Sequence, residues 1–339
     1  MAGINERPLR EPSGTKGQGR ALLLMRAKAS GLLRGSPVWG AVALLYIVAS
    51  VVSPAMLKPE QVLNILQVAA FLGLVATGQT MALLTGGIDL SVAGVVTMTN
   101  IVSTSLMLGQ DRNIAVAVLC CLVLGAVVGA INGVLIAVLR VAPIIATLAM
   151  NSILFGAALV YTGGAPRGSA AHAFDVIGQG RWFGLPASAI CWLVVAVGVA
   201  YMMRRTTLGR WVYAVGANET AARLMGVPTR AVLISAYALS SVLAVLGGLL
   251  VTAYIGNPSL GIGNQFLLTS VVAVVVGGTA LTGGIGSVAG TIAGALFVTE
   301  LTSFTNIAQA STGAQYVIQG ALIAVSVIAY RKIGGQAVT

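Results

Sequence analysis

The sequence predicts an all-α fold, a polytopic transmembrane helical bundle. Three observations carry that reading: 57% of the 339 residues are hydrophobic, only 8% are charged, and the mean hydropathy is +0.96. A soluble domain carries about a quarter charged residues, so this composition does not build a water-facing surface. The long runs are apolar on all sides for about 20 residues, whereas a membrane β-barrel would alternate every second residue. Helices follow, because in lipid each spanning segment must satisfy its own backbone hydrogen bonds. The 43 glycines suit close packing of such helices.

About ten spans are expected from the apolar runs, at residues 37–56, 61–84, 91–109, 114–138, 143–162, 185–203, 230–255, 266–281, 287–307 and 314–330. They divide the chain into a basic tail 1–34, a membrane domain 35–332 and a short tail 333–339. The tail 1–34 carries Arg7, Arg10, Lys16, Arg20, Arg26, Lys28 and Arg34, and Ala21–Met25 is too short for a signal-peptide core. With this tail inside, Arg140, the set Arg204, Arg205, Arg210, Arg223 and Arg230, and the pair Arg331 and Lys332 also fall inside. Only Lys58, Arg112, Arg167 and Arg181 fall outside. This is the asymmetry that orients membrane proteins, and it puts both termini in the cytoplasm. It also accounts for the net charge of +11 without nucleic acid.

The stretch Thr85-Gly86-Gly87-Ile88-Asp89-Leu90-Ser91 interrupts two apolar runs and reads as a break between two embedded helices. Glycines here lower helix propensity by about 1 kcal/mol each and permit backbone angles that a Cβ forbids. Asp89 or Ser91 can cap the following helix. For Asp89, capping and locking the gate between two spans outweighs direct contact with a solute. The segment Thr282 to Gly290 repeats the pattern one residue shorter and without the Asp. Paired glycine interruptions point to a transport pathway, but the span count puts both on the cytoplasmic side with the same polarity, which does not suit an inverted repeat. Glu300, in the ninth span, is the other membrane carboxylate, and such residues are functional candidates by default. It reads equally as pathway-facing or as pairing helices. Gln79, Asn100, Asn132 and Asn151 are further polar residues within spans, suited to holding helices together.

Two loops exceed simple connectors. Gly163–Gly184 holds His172, the only histidine, which is ordinarily just solvated, and places Phe174, Trp182 and Phe183 at the membrane interface. The loop suits an external docking surface or a passive interfacial helix. In Arg204–Arg230, Asn218 is a good N-cap, Glu219 suits a first turn, and Gly226 with Pro228 ends the helix. This short helix carries Ala221, Ala222, Leu224 and Met225, so it suits a knob for a soluble partner as well as a helix packed on its own bundle.

No catalytic residues are expected. The chain has no Gly-x-x-x-x-Gly-Lys-Ser/Thr phosphate loop, no Gly-x-Ser-x-Gly elbow and no close pair of carboxylates within a span. Cys120, Cys121 and Cys191 lie inside apolar runs, so neither disulfides nor a metal site are expected, and no cofactor is implied.

Several motifs together resemble one family, the permease subunits of ribose-type ABC sugar importers, grouped with branched-chain amino acid permeases. They are Gly78-Gln79-Thr80 with Leu84-Thr85-Gly86-Gly87-Ile88-Asp89-Leu90-Ser91, Pro143-Ile-Ile-Ala-Thr147-Leu148, Thr207-Leu208-Gly209-Arg210, and Gly216-Ala-Asn218-Glu219-Thr-Ala221-Ala222-Arg-Leu-Met-Gly226-Val227. The likeness covers about residues 40 to 332. It implies about ten helices per subunit in a bacterial inner membrane, with a second permease copy or homologue, two cytoplasmic ATP-binding subunits and a periplasmic sugar-binding protein as partners. It also implies that the segment around Gly216, Asn218, Glu219, Ala221, Ala222 and Gly226 seats in the ATPase. Gln79, Gly86, Gly87, Asp89, Ser91 and Glu300 are then the expected pathway or gate residues. An amino acid permease of the same superfamily and an ion-coupled secondary transporter are the competing readings.

Overall fold

The computed structural model describes residues 36–318, 320–322 and 324. The expected tail 1–34, residues 319, 323 and 325–330 of the last span, the pair Arg331 and Lys332 and the segment 333–339 lie outside the described residues. The helices are α1 (Ser36–Val52), α2 (Pro59–Leu84), α3 (Val92–Met107), α4 (Ile114–Ala137), α5 (Pro143–Thr162), α6 (His172–Gly178), α7 (Ala187–Arg205), α8 (Thr207–Ala217), α9 (Glu219–Leu224), α10 (Thr229–Ile255), α11 (Asn264–Val276) and α12 (Val288–Ile307). Residues 312–318 are also helical. Strands β1 (Arg181–Trp182) and β2 (Leu185–Pro186) form a small antiparallel hairpin before α7.

Six of the described helical segments are long and apolar enough to cross a membrane, while α1, α3 and α11 are shorter apolar helices. The bundle is all-α and polytopic, as the composition requires. Its centre is α2 and α10. From Ala69 to Leu84 every side of α2 is buried, and α10 packs along α4, α2 and α3. The rim is apolar too: Leu119, Val123 and Val127 of α4 and Leu193, Val194 and Val197 of α7 are exposed. Such a band is stable against lipid tails and not against water.

Glycine makes the closest central contact possible. Gly125, Gly129 and Gly133, one turn apart on α4, lie against the backbone of α10, and a Cβ on Gly129 would fall 2.4 Å from the Tyr237 carbonyl oxygen. Small residues at this spacing let two helices approach closely in lipid. Gly129→Ala is expected to destabilise the bundle by about 1–3 kcal/mol through overpacking, read as a lowered thermal midpoint in detergent. Gly156→Ala, where a Cβ meets nothing within 4 Å and alanine is the better helix former, should not lower the midpoint.

The outer loop folds against the bundle. Gln67 Nε2 donates to the Gly178 carbonyl at 2.7 Å, and Phe174 is buried, not interfacial as its aromatic character suggests. His172 is open to solvent, 3.6 Å from Asp175. Trp182 and Phe183 are exposed on the hairpin, Phe183 completely. The eighth expected span stops early: α11 ends at Val276, because Gly278 takes φ +98° and closes the helix.

Candidate functional site

The break after α2 is a built structure. Gly86 N–H donates to the Leu83 carbonyl (2.9 Å) and Gly87 N–H to the Ala82 carbonyl (3.1 Å), with Gly86 at φ +86°. This Schellman arrangement ends a helix with a left-handed residue that glycine adopts without strain. Helix α11 ends the same way, just before the echo at Thr282 begins, through Gly278 N–H to the Val275 carbonyl (3.0 Å) and Thr279 N–H to the Val274 carbonyl (3.1 Å).

Asp89 sits just past the first break, fully buried. Ser91 donates to its Oδ1 from the backbone N–H (3.0 Å) and from Oγ (2.6 Å), and Ser240 Oγ of α10 donates to its Oδ2 (2.8 Å). Asn132 Nδ2 of α4 donates to Ser91 Oγ at 2.8 Å. In the amide orientation that satisfies both groups, Gln79 donates to the Asp89 carbonyl (2.9 Å) and accepts from the Asp89 N–H (3.2 Å). The carboxylate is therefore held by α10 and its own turn, and its peptide by α2. A buried charge persists only when its oxygens are satisfied in this way. The arrangement ties α2, α4 and α10 to the start of α3, rather than offering a free carboxylate to a passing solute. Thr147 of α5 adds a hydrogen bond to the Ile88 carbonyl at 3.2 Å.

The two breaks touch. Gly284 N–H donates to the carbonyl of Leu84, the last residue of α2, at 2.9 Å, so the second loop caps the helix that the first loop terminates. Helix α8 closes the junction. A Cβ on its Gly216 would lie 1.8 Å from the Leu84 oxygen and 2.6 Å from the Gly284 nitrogen. Tyr213 Oη of α8 donates to the Gly286 carbonyl at 3.0 Å. Burial raises the Tyr213 phenol pKa, against the pull of Arg204, and keeps that donor protonated.

Helix α8 runs straight into α9. Asn218 Oδ1 accepts from the Ala221 N–H at 2.9 Å, the expected N-cap. Glu219 pairs with Arg223 one turn on, and Gly226, at φ +83°, closes α9 with Val227 N–H donating to the Ala222 carbonyl at 3.0 Å. Ala222 is buried, Ala221 is exposed, and Leu224 and Met225 are 84% and 85% exposed. A cavity of about 420 Å³ lies between this helix and the first break, lined among others by Gly86, Gly87, Arg140, Glu219, Arg223 and Tyr237.

Among the expected residues, Gln79, Gly86, Gly87, Asp89 and Ser91 come together, Gly216 joins them, and Asn218, Glu219, Ala221, Ala222 and Gly226 follow directly. Glu300 does not join. It is buried on α12, and its Oε1 has no hydrogen-bond partner among the described residues. Asn100 and Asn151 bridge elements elsewhere: Asn100 Nδ2 donates to Thr252 Oγ1 (3.1 Å), and Asn151 Oδ1 accepts from the Gly94 N–H (2.7 Å). Sequence reasoning missed Ser240, Tyr237, Tyr213 and the whole of α8. Thr206 as N-cap with Leu208, Val212 and Val215 at helical spacing was the signal for α8. No group of three His, Cys, Asp or Glu side chains gathers as a metal site among the described residues.

A membrane bundle with paired glycine breaks and an exposed, capped helix on one loop defines a transport permease. The chain belongs to the family described as branched-chain amino acid transport system, permease component, which it matches over residues 61–327. It is 36% identical to the ribose import permease protein of Escherichia coli over 86% of this chain and 92% of that one. It is also 36% identical to the ribose import permease protein of Bacillus subtilis, over 85% and 90%. To the L-arabinose transport system permease protein of Escherichia coli it is 33% identical, over 76% and 78%. It is thus a multi-pass inner-membrane permease. No solved structure matches it.

Proposed function

We propose that the chain forms the translocation pathway for a monosaccharide in an ABC importer, receiving sugar from a periplasmic binding protein. Energy comes from separate cytoplasmic ATP-binding subunits, and a second permease copy or homologue completes the complex. The sugar reading is supported by relatives that import ribose and arabinose. The family description names branched-chain amino acids, and uptake assays with both solute classes decide between them.

The carrying observation for the ATPase partner is α9: a six-residue helix capped at both ends that displays Leu224 and Met225 to solvent and connects through α8 to both breaks. Exposed apolar anchors on a rigid element are what a protein partner recognises. Closure of the ATPase would move α9, α8 would carry the movement, and α7 and α10, attached at either end, would pass it to the bundle.

Ten spans with both termini cytoplasmic remain our topology, with domain limits 1–34, 35–332 and 333–339 and a coupling loop 204–230. It is supported by the cavity that brings Arg140 and Arg223 beside Gly86, since basic loops mark the cytoplasmic side. The exposed apolar faces of α4 and α7 then meet lipid or the second permease. No step of catalysis is assigned to this chain.

Leu224→Asp combined with Met225→Asp is expected to weaken co-purification of the ATP-binding subunits by about tenfold or more, the scale of losing interface anchors. Both residues are solvent-exposed, so the permease should still fold. Undiminished co-purification would remove α9 as the docking element.

A further inference from the structure

A second cavity, of about 300 Å³, lies between the N-terminal half of α2, α11, the C-terminal half of α12 and the helical residues 312–316. Its nearest residue on α2, Leu72, stands twelve positions before Leu84 at the junction. At about 1.5 Å per residue the two are roughly 18 Å or more apart along the helix. In the topology proposed above, the cavity belongs to the extracytoplasmic half.

Its chemistry differs from the rest of the bundle. Asn64, Gln265, Thr269, Thr302, Asn306 and Gln315 bring amides and hydroxyls to its wall, Phe266 and Tyr316 bring aromatic surface, and no lining residue is charged. In an apolar membrane such a collection of polar groups is costly against lipid tails, so this face meets something polar. Part of the set is already fixed: Gln315 Nε2 donates to Asn306 Oδ1 (2.7 Å), and Gln61 Nε2 of α2 donates to Ser303 Oγ of α12 (2.6 Å). The side chains of Asn64, Gln265 and Thr299 make no hydrogen bond among the described residues, which leaves donors and acceptors for a ligand.

We propose that this cavity receives a neutral monosaccharide. The assignment rests on the sugar-permease reading and adds the place and the selectivity. A volume of about 300 Å³ is at the small end of ligand pockets, large enough for one sugar ring and too small for a chain of them. Amides and hydroxyls satisfy ring hydroxyls, and aromatic surface covers the apolar face of the ring. A zwitterionic amino acid would leave its carboxylate and ammonium without counter-charges, a penalty this wall does not offset. The junction cavity, with Arg140, Glu219 and Arg223, has the opposite character.

The experiment uses the full complex with its ATP-binding subunits and binding protein in lipid, with Cys120, Cys121 and Cys191 replaced by alanine. Uptake of D-ribose, L-arabinose and leucine by this parent is measured first. Thr302→Cys is then exposed to a membrane-impermeant thiol reagent. Modification is expected to proceed and to slow at least about threefold with saturating carried sugar, because occupancy excludes the reagent, and not to slow with leucine. Equal rates with and without sugar, slowing by leucine, or no modification at all would each overturn the assignment. In a second arm, Asn64→Leu with Gln265→Leu should lower sugar uptake at least about fivefold, by loss of hydrogen bonds worth roughly 1 kcal/mol, with the amount of assembled complex unchanged. Uptake at the parent's rate overturns it. A parent that carries leucine and neither sugar overturns the sugar reading on which the assignment rests, whereas a sugar-carrying parent with an insensitive cavity overturns only the cavity's role.

Discussion

Gly216→Ala is expected to cut solute uptake by about tenfold or more while the ATP-binding subunits remain attached. The added Cβ has no room: it would lie 1.8 Å from the Leu84 carbonyl oxygen and 2.6 Å from the Gly284 nitrogen, backbone atoms on both breaks. Overpacking against backbone costs about 1–3 kcal/mol, and here α8 can relieve it only by leaving the junction. Tyr213 would then lose the Gly286 carbonyl and α9 its rigid connection to the bundle. Uptake and ATP hydrolysis measured on the same proteoliposomes should separate, with hydrolysis persisting and transport falling. Gly198→Ala on α7, where a Cβ meets nothing within 4 Å, should transport normally. A Gly216→Ala complex that transports at the native rate would show that movement of α9 reaches the pathway by another route.

This prediction draws on features of unequal visibility in the sequence. The first break and the caps of α9 were legible because their rules are local: glycine at a left-handed position and Asn at an N-cap act within a few residues. The all-α class was legible from composition alone. The contact between the breaks was not, since Leu84 and Gly284 are 200 positions apart and nothing in either motif names the other. Ser240, which completes the Asp89 site from 151 positions away, was invisible for the same reason. Helix α8 was masked by its charged and glycine residues, although its apolar spacing was present. Phe174 misled because an aromatic near a membrane boundary suggests the interface, whereas Gly178 lets α6 press against the backbone of α10 at Ala253 and buries it.

Asp89→Leu is expected to destabilise the permease by about 3 kcal/mol or more, because it orphans the Ser91 N–H and the hydroxyls of Ser91 and Ser240, each buried donor costing about 1–3 kcal/mol when left without an acceptor. Asp89→Asn should cost far less. Its Oδ1 still accepts from Ser91, and its amide can donate to the Ser240 hydroxyl, which accepts as readily as it donates. Thermal unfolding in detergent should therefore rank the leucine variant well below the asparagine variant, with the asparagine variant near the native protein. The same pair separates the two roles open to this carboxylate. If Asp89 locks α2, α4 and α10 to α3, uptake follows stability, and Asp89→Asn transports within a few-fold of the native rate. If it instead binds the solute through its charge, Asp89→Asn folds normally and transports poorly, and uptake no longer tracks the unfolding midpoint. The fully satisfied geometry of both carboxylate oxygens favours the first outcome.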